Sequence, residues 1–452
     1  MNIKAEALNY AIEAHEGQKR KTEPDKPMII HPINVGHIIE KYGFDDNVIA
    51  AGYLHDVVED TSYTIQDIEG KFGDDVASLV LGASEPDKSL SWEERKLHTI
   101  EGIKSLDLRH KAVVCADKIS NLEDLMILFD KKGEYDFGAF KRGEDKQKWY
   151  YESIYNSLIT NEDSNLPMFK ELKELIDSVF YKKENDYLKN EIIGEEEYKE
   201  LKKLDSMSKE IYKLKNTFDT TPYVIEFTGT PRTGKTTLIN NLYDFFKKSG
   251  MKVTLLEEFT TSKEYKEGLY PSIKDEPKDV INSIIPIHVF KQLTKAVSSN
   301  PDVILIDRSL FDRLVWIDRL HTENGISDEN YETYKDIYIP IIKEGIHTII
   351  STYVGSKEAI KRDYKANLSL KPRHFLNEKN VDEYNEALNN MTNLLKDELN
   401  IHSFDTTNKN QREVSFLVAE AILKDMRYEY IKRINYRLDN PIITSEKVKT
   451  LK

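Results

Sequence analysis

An apolar stretch that carries four ionisable side chains constrains the fold of this chain more than any other feature of the sequence. The apolar residues of segment 49–58 cover most of the circumference of a predicted helix, which should therefore be largely buried. The ionisable residues of this helix are His55, Asp56, Glu59 and Asp60. Unpaired charges are costly in a protein interior, and pairing or a metal ion is the usual remedy. Because residues one helical turn apart share a face, the four side chains can converge on one divalent cation.

Two other segments supply further side chains that can bind a metal. His31 stands at the entrance of a helix that is predicted to begin near Pro32. Asp117 and Asn121 share one face of a predicted apolar helix over residues 112–122. Two histidines and two aspartates form a mixed nitrogen and oxygen ligand set, which suits Mn²⁺, Fe²⁺ or Zn²⁺ better than Ca²⁺.

The order of these residues resembles the HD hydrolase domain of the RelA/SpoT family, especially the small stand-alone alarmone hydrolases. The likeness covers residues 1–155 and is carried by the segments 17–21, 30–32, 54–61, 72–73, 92–96 and 116–122. It implies an all-helical domain with phosphohydrolase activity. The synthetase domain of the long family members cannot be recognised after this region, so their two-activity architecture is absent from the prediction.

The resemblance also implies roles for individual residues. One Mn²⁺ would be held by His31, His55, Asp56 and Asp117. Glu59 and Asp60 would direct a water molecule and accept its proton. Arg20 and Lys21 match the basic pair that contacts the nucleotide, and Asn121 matches the residue beside the ribose. The family removes the 3′-diphosphate from guanosine tetra- and pentaphosphate, whereas some small members take the 2′-phosphate from NADPH, and both substrates stay open.

A second phosphate motif lies in the other half of the chain. Gly229 and Gly234 are followed by Lys235 and Thr236, which is the P-loop pattern. A predicted strand precedes the loop, and a helix and a second strand follow it. The predicted ATP-binding residues are Gly229, Thr230, Pro231, Arg232, Thr233, Gly234, Lys235, Thr236 and Thr237. Backbone amides would hold the phosphates, Lys235 would bridge the terminal ones, and Thr236 would hold Mg²⁺.

Later features favour a nucleoside or nucleotide kinase over a GTPase or a motor ATPase. Glu257 and Glu258 stand at the carboxyl end of the second predicted strand, where open α/β sheets bind ligands. Asp307 and Arg308 end a buried strand, and segment 307–313 resembles signatures of deoxynucleoside and thymidylate kinases. By that likeness, Glu257 or Glu258 is the base for the acceptor hydroxyl. Asp307 would act near Mg²⁺, and Arg308 would contact a phosphate.

A basic cluster after the predicted strand at 348–350 stands where these kinases carry a lid over the phosphates. The lid residues would be Arg362, Lys365 and Arg373.

The two motif sets predict a multidomain fold, with an all-α HD domain followed by an α/β P-loop NTPase domain that has a mainly parallel sheet. The predicted boundaries are 1–183 for the hydrolase, 184–221 for a charged helical connector, 222–426 for the kinase and 427–452 for a basic tail. The connector is dense in charge and poor in apolar residues, so we expect it to be exposed. The tail is expected to be a solvated terminal helix.

The net charge of -14 argues against general nucleic-acid or membrane-surface binding, so local basic residues must capture an anionic substrate. The single cysteine, Cys115, excludes an internal disulfide framework. We find no signal-peptide pattern and no apolar run of membrane-spanning length, and we expect a cytoplasmic protein. A homo-oligomer is compatible with the sequence.

The sequence therefore predicts a bifunctional enzyme that acts on small nucleotides, with Mn²⁺ at the first site and Mg²⁺ with ATP at the second. Two alternatives stay open. The first site could be an NADPH-type phosphatase, or the chain could be a nucleotide-sensing regulator in which one site binds without turnover.

Overall fold

The structure is a computed structural model, and it describes residues 2–85, 89–133, 135, 137–138, 140, 142–182, 184–185, 187–218, 221–367 and 376–440. The chain forms two compact units, of which the first comprises Met1–Asp219 with Glu429–Lys452 and the second Thr220–Tyr428. The first unit is helical and the second is α/β with a parallel sheet, so the predicted fold class is confirmed. Among the described helices, none combines the length and the apolar character needed to cross a membrane.

The first unit is built from eleven described helices before the second unit begins. They are α1 (Ile3–Ala14), α2 (Ile30–Lys41), α3 (Asp46–Leu54), α4 (Val57–Asp60), α5 (Ile65–Phe72), α6 (Asp74–Ala83), α7 (Trp92–Ile103), α8 (Leu108–Lys132), α9 (Gly143–Leu158), α10 (Pro167–Phe180) and α11 (Glu195–Phe218). A short π-helical segment, Leu188–Ile193, precedes α11.

Helix α8 runs through the core of the first unit and packs against α2, α3, α6, α10 and α11. Its residues 112–116 are all buried, because an apolar run longer than one helical turn leaves no polar face. Cys115 lies within this run, and burial raises the pKa of its thiol. The core thus holds rigidly the helix that carries Asp117 and Asn121.

The helix predicted across 49–60 is interrupted at its functional residues. Helix α3 ends at Leu54 and α4 begins at Val57, so His55 and Asp56 form the turn between them. The Nδ1 atom of His55 donates a hydrogen bond to the carbonyl of Gly52 at 2.8 Å. In a continuous helix the backbone amide of Asp56 would donate to the Gly52 carbonyl. The His55 side chain competes for this acceptor, and this competition accounts for the break.

The segment that the sequence suggested to be an exposed connector is instead packed into the first unit. Helix α11 buries an apolar stripe of Leu204, Met207, Ile211 and Leu214. These four residues recur at intervals of three and four, so they share one face of the helix. The stripe is one residue wide and lies among many charged residues. The composition of the segment therefore did not reveal it. The predicted boundaries of the hydrolase and the kinase stay predictions.

The second unit alternates strands and helices. Its elements are β1 (Tyr223–Gly229), α12 (Lys235–Lys248), β2 (Val253–Leu256), a 3₁₀ turn (Phe259–Thr261), a π-helical segment (Glu264–Leu269), α13 (Tyr270–Ile273), α14 (Lys278–Ser298), β3 (Val303–Asp307), α15 (Leu310–Thr322), α16 (Asp328–Gly345), β4 (Thr348–Tyr353), α17 (Ser356–Asn367), α18 (Glu378–Leu395), β5 (Ile401–Asp405) and the part of α19 (Gln411–Asp439) that precedes Glu429.

The five strands form a parallel sheet in the order β2-β3-β1-β4-β5. The register pairs Phe227 of β1 with Asp307 of β3, and Leu256 of β2 with Ile306 of β3. Strands β1 and β3 are buried along their whole length, because helices cover both faces of a doubly wound sheet. The register brings the carboxyl ends of β1, β2 and β3 together at one edge of the sheet.

The tail after residue 426 differs from the expected solvated helix. Residues 427–439 continue α19 without a break, and those from Glu429 onward group with the first unit. Tyr430 and Ile434 are buried, which the basic side chains around them did not indicate.

The close packing of α2 on α3 generates a first prediction. A Cβ atom at Gly36 would lie 2.1 Å from the buried ring of Tyr53, so Gly36→Ala must displace that ring. We expect the free energy of unfolding to fall by about 1–3 kcal/mol, as for overpacked cores. Gly70→Ala is the matched control, since no atom of the described residues lies within 4 Å of its Cβ. The control should gain about 0.5–1 kcal/mol. Equal effects of both changes on urea unfolding would contradict this account of the packing.

Candidate active sites

Four residues that the sequence singled out meet in the first unit. The Nε2 atom of His31 lies 3.2 Å from Asp117 Oδ1 and 3.6 Å from Asp56 Oδ2. The Nε2 atom of His55 lies 3.2 Å from Asp56 Oδ1 and 3.8 Å from Asp117 Oδ1. Helix α2, the α3–α4 turn and α8 thus bring together two imidazoles and two carboxylates that are up to 86 residues apart in the chain.

Both imidazoles are oriented through their other ring nitrogen. The bond from His55 Nδ1 to the Gly52 carbonyl orients the ring so that Nε2 faces the carboxylates. The Nδ1 atom of His31 lies 3.0 Å from Ser120 Oγ, which also accepts a hydrogen bond from Asn34. Such bonds fix the ring orientation of histidines that bind metals.

The cluster suits a divalent cation. One ligand atom each from His31, His55 and Asp117 lie within 4.8 Å of one another. The Nε2 atom of His55 is buried and has no hydrogen-bond partner among the described residues, although Asp56 lies at ion-pair distance. A buried imidazole nitrogen without a partner, facing two carboxylates, is the donor set that a borderline metal ion fills.

The pKa values of the site residues also favour a bound cation. Burial lowers the pKa of His31. Burial also opposes charge on His55, but Asp56 and then Asp117 outweigh it and raise the pKa of His55 to about 9. Against the opposing effect of burial, Lys118 and the histidines hold the pKa of Asp117 well below its ordinary value. The site therefore contains two ionised carboxylates that attract a positive charge.

Glu59 and Asp60 lie beside this cluster and line the same cavity. Glu59 accepts a hydrogen bond from the backbone amide of Glu85. Burial raises the pKa of Glu59, and this effect exceeds the lowering by that amide. A carboxylate with a raised pKa is a stronger proton acceptor, as a general base requires.

The residues expected to contact the nucleotide differ in their placement. The guanidinium of Arg20 donates to Asp124 at 3.0 Å and to Asn121 at 3.5 Å, and Asn121 donates to Asp117 at 2.5 Å. Arg20 and Asn121 are thus linked to the metal cluster through hydrogen bonds. Lys21 lines the cavity with its side chain exposed.

The first cavity has a volume of about 770 Å³, enough for a nucleotide. Besides the residues already named, it is lined by residues whose roles the sequence did not reveal: Glu85, Arg95, Lys96, Lys118, Tyr150 and Tyr151. The carboxylate of Glu85 pairs with Arg95 at 2.8 Å and with Lys96. These cations lie on α7, within a segment that carried the family resemblance, whereas Glu85 had no sequence signal.

The P-loop of the second unit forms between β1 and α12, as predicted. Its first glycine is packed against the neighbouring strand, since a Cβ at Gly229 would lie 2.0 Å from the Thr352 carbonyl oxygen. The last glycine, Gly234, has a φ of 89°, which favours glycine, and Gln411 approaches it closely. Arg232 pairs with Asp363 at 2.7 Å. The loop is therefore held by strand β4 and helices α17 and α19.

Lys235, Asp307 and Arg308 meet at the carboxyl end of the sheet. Lys235 contacts Asp307 directly. Arg308 adopts a φ of 60° and donates to the Gly229 carbonyl and to Asp312, at 2.7 Å each. This places the guanidinium of Arg308 against the first residue of the P-loop.

The structure separates the two candidate bases. Glu258 lines the P-loop cavity, and its carboxylate lies 3.6 Å from Arg308 Nε. Glu257 is exposed and does not line that cavity. Both residues follow the end of β2, and the sequence alone could not show which of them faces the site.

The three predicted lid residues also differ in their placement. Arg362 lines the P-loop cavity and donates to the carbonyl of Arg232 at 3.3 Å and of Thr406 at 2.6 Å. Lys365 is exposed at the end of α17, and Arg373 lies outside the described residues. The full cavity measures about 680 Å³, and its lining includes Thr236 and Thr237.

Sequence reasoning missed the residues that hold Arg308. Asp312 is completely buried and accepts hydrogen bonds from Thr228, Arg308 and Tyr384, each at 2.7 Å. Arg313 donates to the other carboxylate oxygen of Asp312 at 2.6 Å. Asp312 stood in the quoted signature segment, but Tyr384, 72 residues later, carried no sequence signal.

Two family models match the chain: an HD domain at residues 7–133 and an AAA domain at residues 224–415. MESH1 of Drosophila melanogaster, named a guanosine-3′,5′-bis(diphosphate) 3′-pyrophosphohydrolase, is 42% identical over 124 residues, which are 27% of this chain and 69% of that protein. MESH1 of Danio rerio is 41% identical over 122 residues, 26% of this chain and 67% of that protein. A solved deoxyadenosine kinase from M. mycoides is 20% identical and covers 44% of this chain and 98% of its own, with a TM-score of 0.32.

The buried position of Asp312 generates a second prediction. Asp312→Ala removes the main partner of a buried guanidinium, and breaking such a pair costs about 3–5 kcal/mol of the free energy of unfolding. The control is Asp328→Ala, whose carboxylate is 99% exposed and pairs with His321. A surface pair of this kind contributes about 0–1 kcal/mol. Urea unfolding of the full chain measures both, and a small loss for Asp312→Ala would mean that Arg308 does not depend on it.

Proposed function

We propose that this chain, which belongs through residues 7–133 to the HD-domain enzyme family that includes MESH1, hydrolyses the 3′-diphosphate of a guanosine-3′,5′-bis(diphosphate)-type nucleotide. The observation that carries the proposal is the convergence of His31, His55, Asp56 and Asp117 in a cavity that is also lined by a carboxylate pair and by basic residues. The related proteins bear that activity in their names.

The ligand set is expected to hold one Mn²⁺-like ion. Such an ion, when bound, neutralises phosphate charge and lowers the pKa of a water molecule. The protein's own residues then divide the remaining work. Glu59, with its raised pKa, accepts the proton of the attacking water, and Asp60 orients that water beside it. His31 and His55 stay fixed by Ser120 and the Gly52 carbonyl.

The basic lining explains how an acidic protein captures an anionic substrate. Arg20, Lys21, Arg95, Lys96 and Lys118 line one cavity in a chain whose net charge is -14. We infer that the two diphosphates of the substrate replace Glu85 as the partner of Arg95 and Lys96, because phosphate oxygens form strong charge-assisted hydrogen bonds with such groups. NADPH carries a terminal phosphate as well, so it belongs in every substrate test.

For the second unit we propose ATP-dependent phosphoryl transfer to a nucleoside or a nucleoside monophosphate. Thr236 would hold Mg²⁺ and Lys235 would bridge the terminal phosphates of ATP. Glu258 is the proposed base, because it lines the P-loop cavity while Glu257 does not. Arg308 would stabilise the transferring phosphate, since its guanidinium is held against the P-loop by Asp312 and Tyr384. Together the two units would make a bifunctional nucleotide enzyme.

The first site generates a prediction that separates metal binding from proton transfer. His55→Ala should lose both bound Mn²⁺ and hydrolysis. Glu59→Gln should retain the metal and lose about 10²–10⁴-fold in rate, which is the usual contribution of a general base. His98→Ala, an exposed histidine, is the control and should behave like the wild type.

Metal content and product release from guanosine bis(diphosphate) and from NADPH are measured side by side. Full activity of the wild type after thorough chelation would overturn the metal-dependent assignment. Metal binding without turnover of any nucleotide would favour the alternative of a nucleotide-sensing regulator.

The second site generates a prediction with a matched pair of variants. Glu258→Gln should lower phosphoryl transfer by about 10²–10⁴-fold, as expected for loss of a general base. Glu257→Gln makes the same change in charge one residue earlier and should leave the rate close to that of the wild type. Lys235→Ala should abolish transfer from ATP. A panel of nucleosides and monophosphates analysed by mass tests this. Steady ATP hydrolysis without any phosphorylated product would make the site an ATPase instead.

A further inference from the structure

Two groups of ion pairs join helix α11 to the segment that carries Arg20. We call residues 19–27 the basic loop, because Arg20 and Lys21 lie within it. The loop is closed by a backbone bridge between Lys19 and Pro27, and the amide of Arg20 donates to the Lys26 carbonyl at 2.9 Å. The basic loop lines the hydrolase cavity with Arg20 and Lys21.

The first group reaches Arg20 itself. The Nζ atom of Lys213 on α11 lies 2.9 Å from Asp124 Oδ1 and 2.9 Å from Glu123 Oε2. The other oxygen of Asp124 accepts from Arg20 at 3.0 Å. Asp124 therefore lies between two cations, and Lys213 fixes the orientation of the carboxylate that binds Arg20. Burial lowers the pKa of Lys213, but Asp124 and Glu123 outweigh it and raise that pKa above its usual value.

The second group holds the far end of the loop. Glu210, one turn earlier on α11, accepts from Lys26 at 2.7 Å and from Lys131 at 2.9 Å. Glu23 of the basic loop contacts the same two lysines, at 2.5 Å and 3.3 Å. Glu210 is only 2% exposed and Lys26 only 7%. Charges buried to this degree are stable only when they are paired, so the pairing restricts where the loop can lie.

The position of α11 in the chain makes these contacts informative. Residues 195–218 follow the segment 7–133 that the HD-domain family model matches. The helix contributes no residue to the lining of the cavity. Two of its charged residues nevertheless reach this region of the site. Lys213 contacts Asp124, the partner of Arg20, across 89 residues, and Glu210 contacts Lys26 of the basic loop.

We propose that Lys213 and Glu210 are positioning residues of the hydrolase site, which hold the basic loop so that Arg20 and Lys21 meet the substrate phosphates. Helix α11 thus completes the hydrolase rather than linking two enzymes. The inference rests on the proposed hydrolysis of a guanosine bis(diphosphate), because it assigns the basic loop to phosphate binding.

The test compares Lys213→Met and Glu210→Gln in the full chain. Each variant should raise KM for guanosine bis(diphosphate) on the order of tenfold while kcat changes little, because the loop binds substrate and takes no part in proton transfer. Lys213→Arg keeps the charge and should restore the wild-type KM. Lys209→Met is the matched control, since Lys209 lies on the same helix, is half exposed and pairs with Asp205.

Amide hydrogen exchange without substrate provides an independent readout. The amides of Arg20 and Met28, which bond to Lys26 and Gln18, should exchange faster in both variants, while α2 and α8 keep their protection. Unchanged exchange across residues 18–28, or faster exchange across the whole first unit, would overturn the proposal. So would an unchanged KM in both variants. If the wild type turns over no guanosine bis(diphosphate) and the loop still loosens, the positioning of the loop stands and the proposed function fails.

Discussion

The first unit depends on one interaction. Two ionised carboxylates face two imidazoles inside a helical core. Asp56 and Asp117 are held in the charged form by their neighbours although burial disfavours it. Such an arrangement is stable only if positive charge is supplied at the same point. The core around α8 fixes the geometry, the histidines supply part of the charge, and the remaining negative charge is the basis of the proposed cation site.

The second unit also pairs buried charged side chains, but it does so at the end of a parallel sheet. A parallel sheet brings the ends of three strands together, so phosphate-binding amides, a lysine and a carboxylate meet at one edge. Arg308 would be costly to bury alone, and Asp312 with Tyr384 compensates for it. In both units a hydrogen-bonded network orients an arginine that lines the cavity, Arg20 in the first and Arg308 in the second. Helix α11 extends this principle to a loop at the surface.

Much of this architecture was predictable because its signals are local. The spacing of apolar residues identified α2, α8 and the strands of the sheet, and the glycine spacing identified the P-loop. The meeting of His31, His55, Asp56 and Asp117 was predictable from residue type and order. The break between α3 and α4 was not, because it depends on a side-chain bond from His55 to a backbone carbonyl that competes with the helix. Which of Glu257 and Glu258 lines the P-loop cavity was not predictable either.

The sequence by itself therefore determined the two kinds of fold and the P-loop motif, and it singled out four candidate metal ligands, since residue type and short-range spacing specify them. Only the tertiary structure decided which charges pair. Lys213 meets Asp124 across 89 residues, and Tyr384 meets Asp312 across 72. Pairings at such distances depend on how helices pack, and a charged residue in a sequence is equally compatible with solvent and with a buried partner. The role of α11 was hidden for that reason.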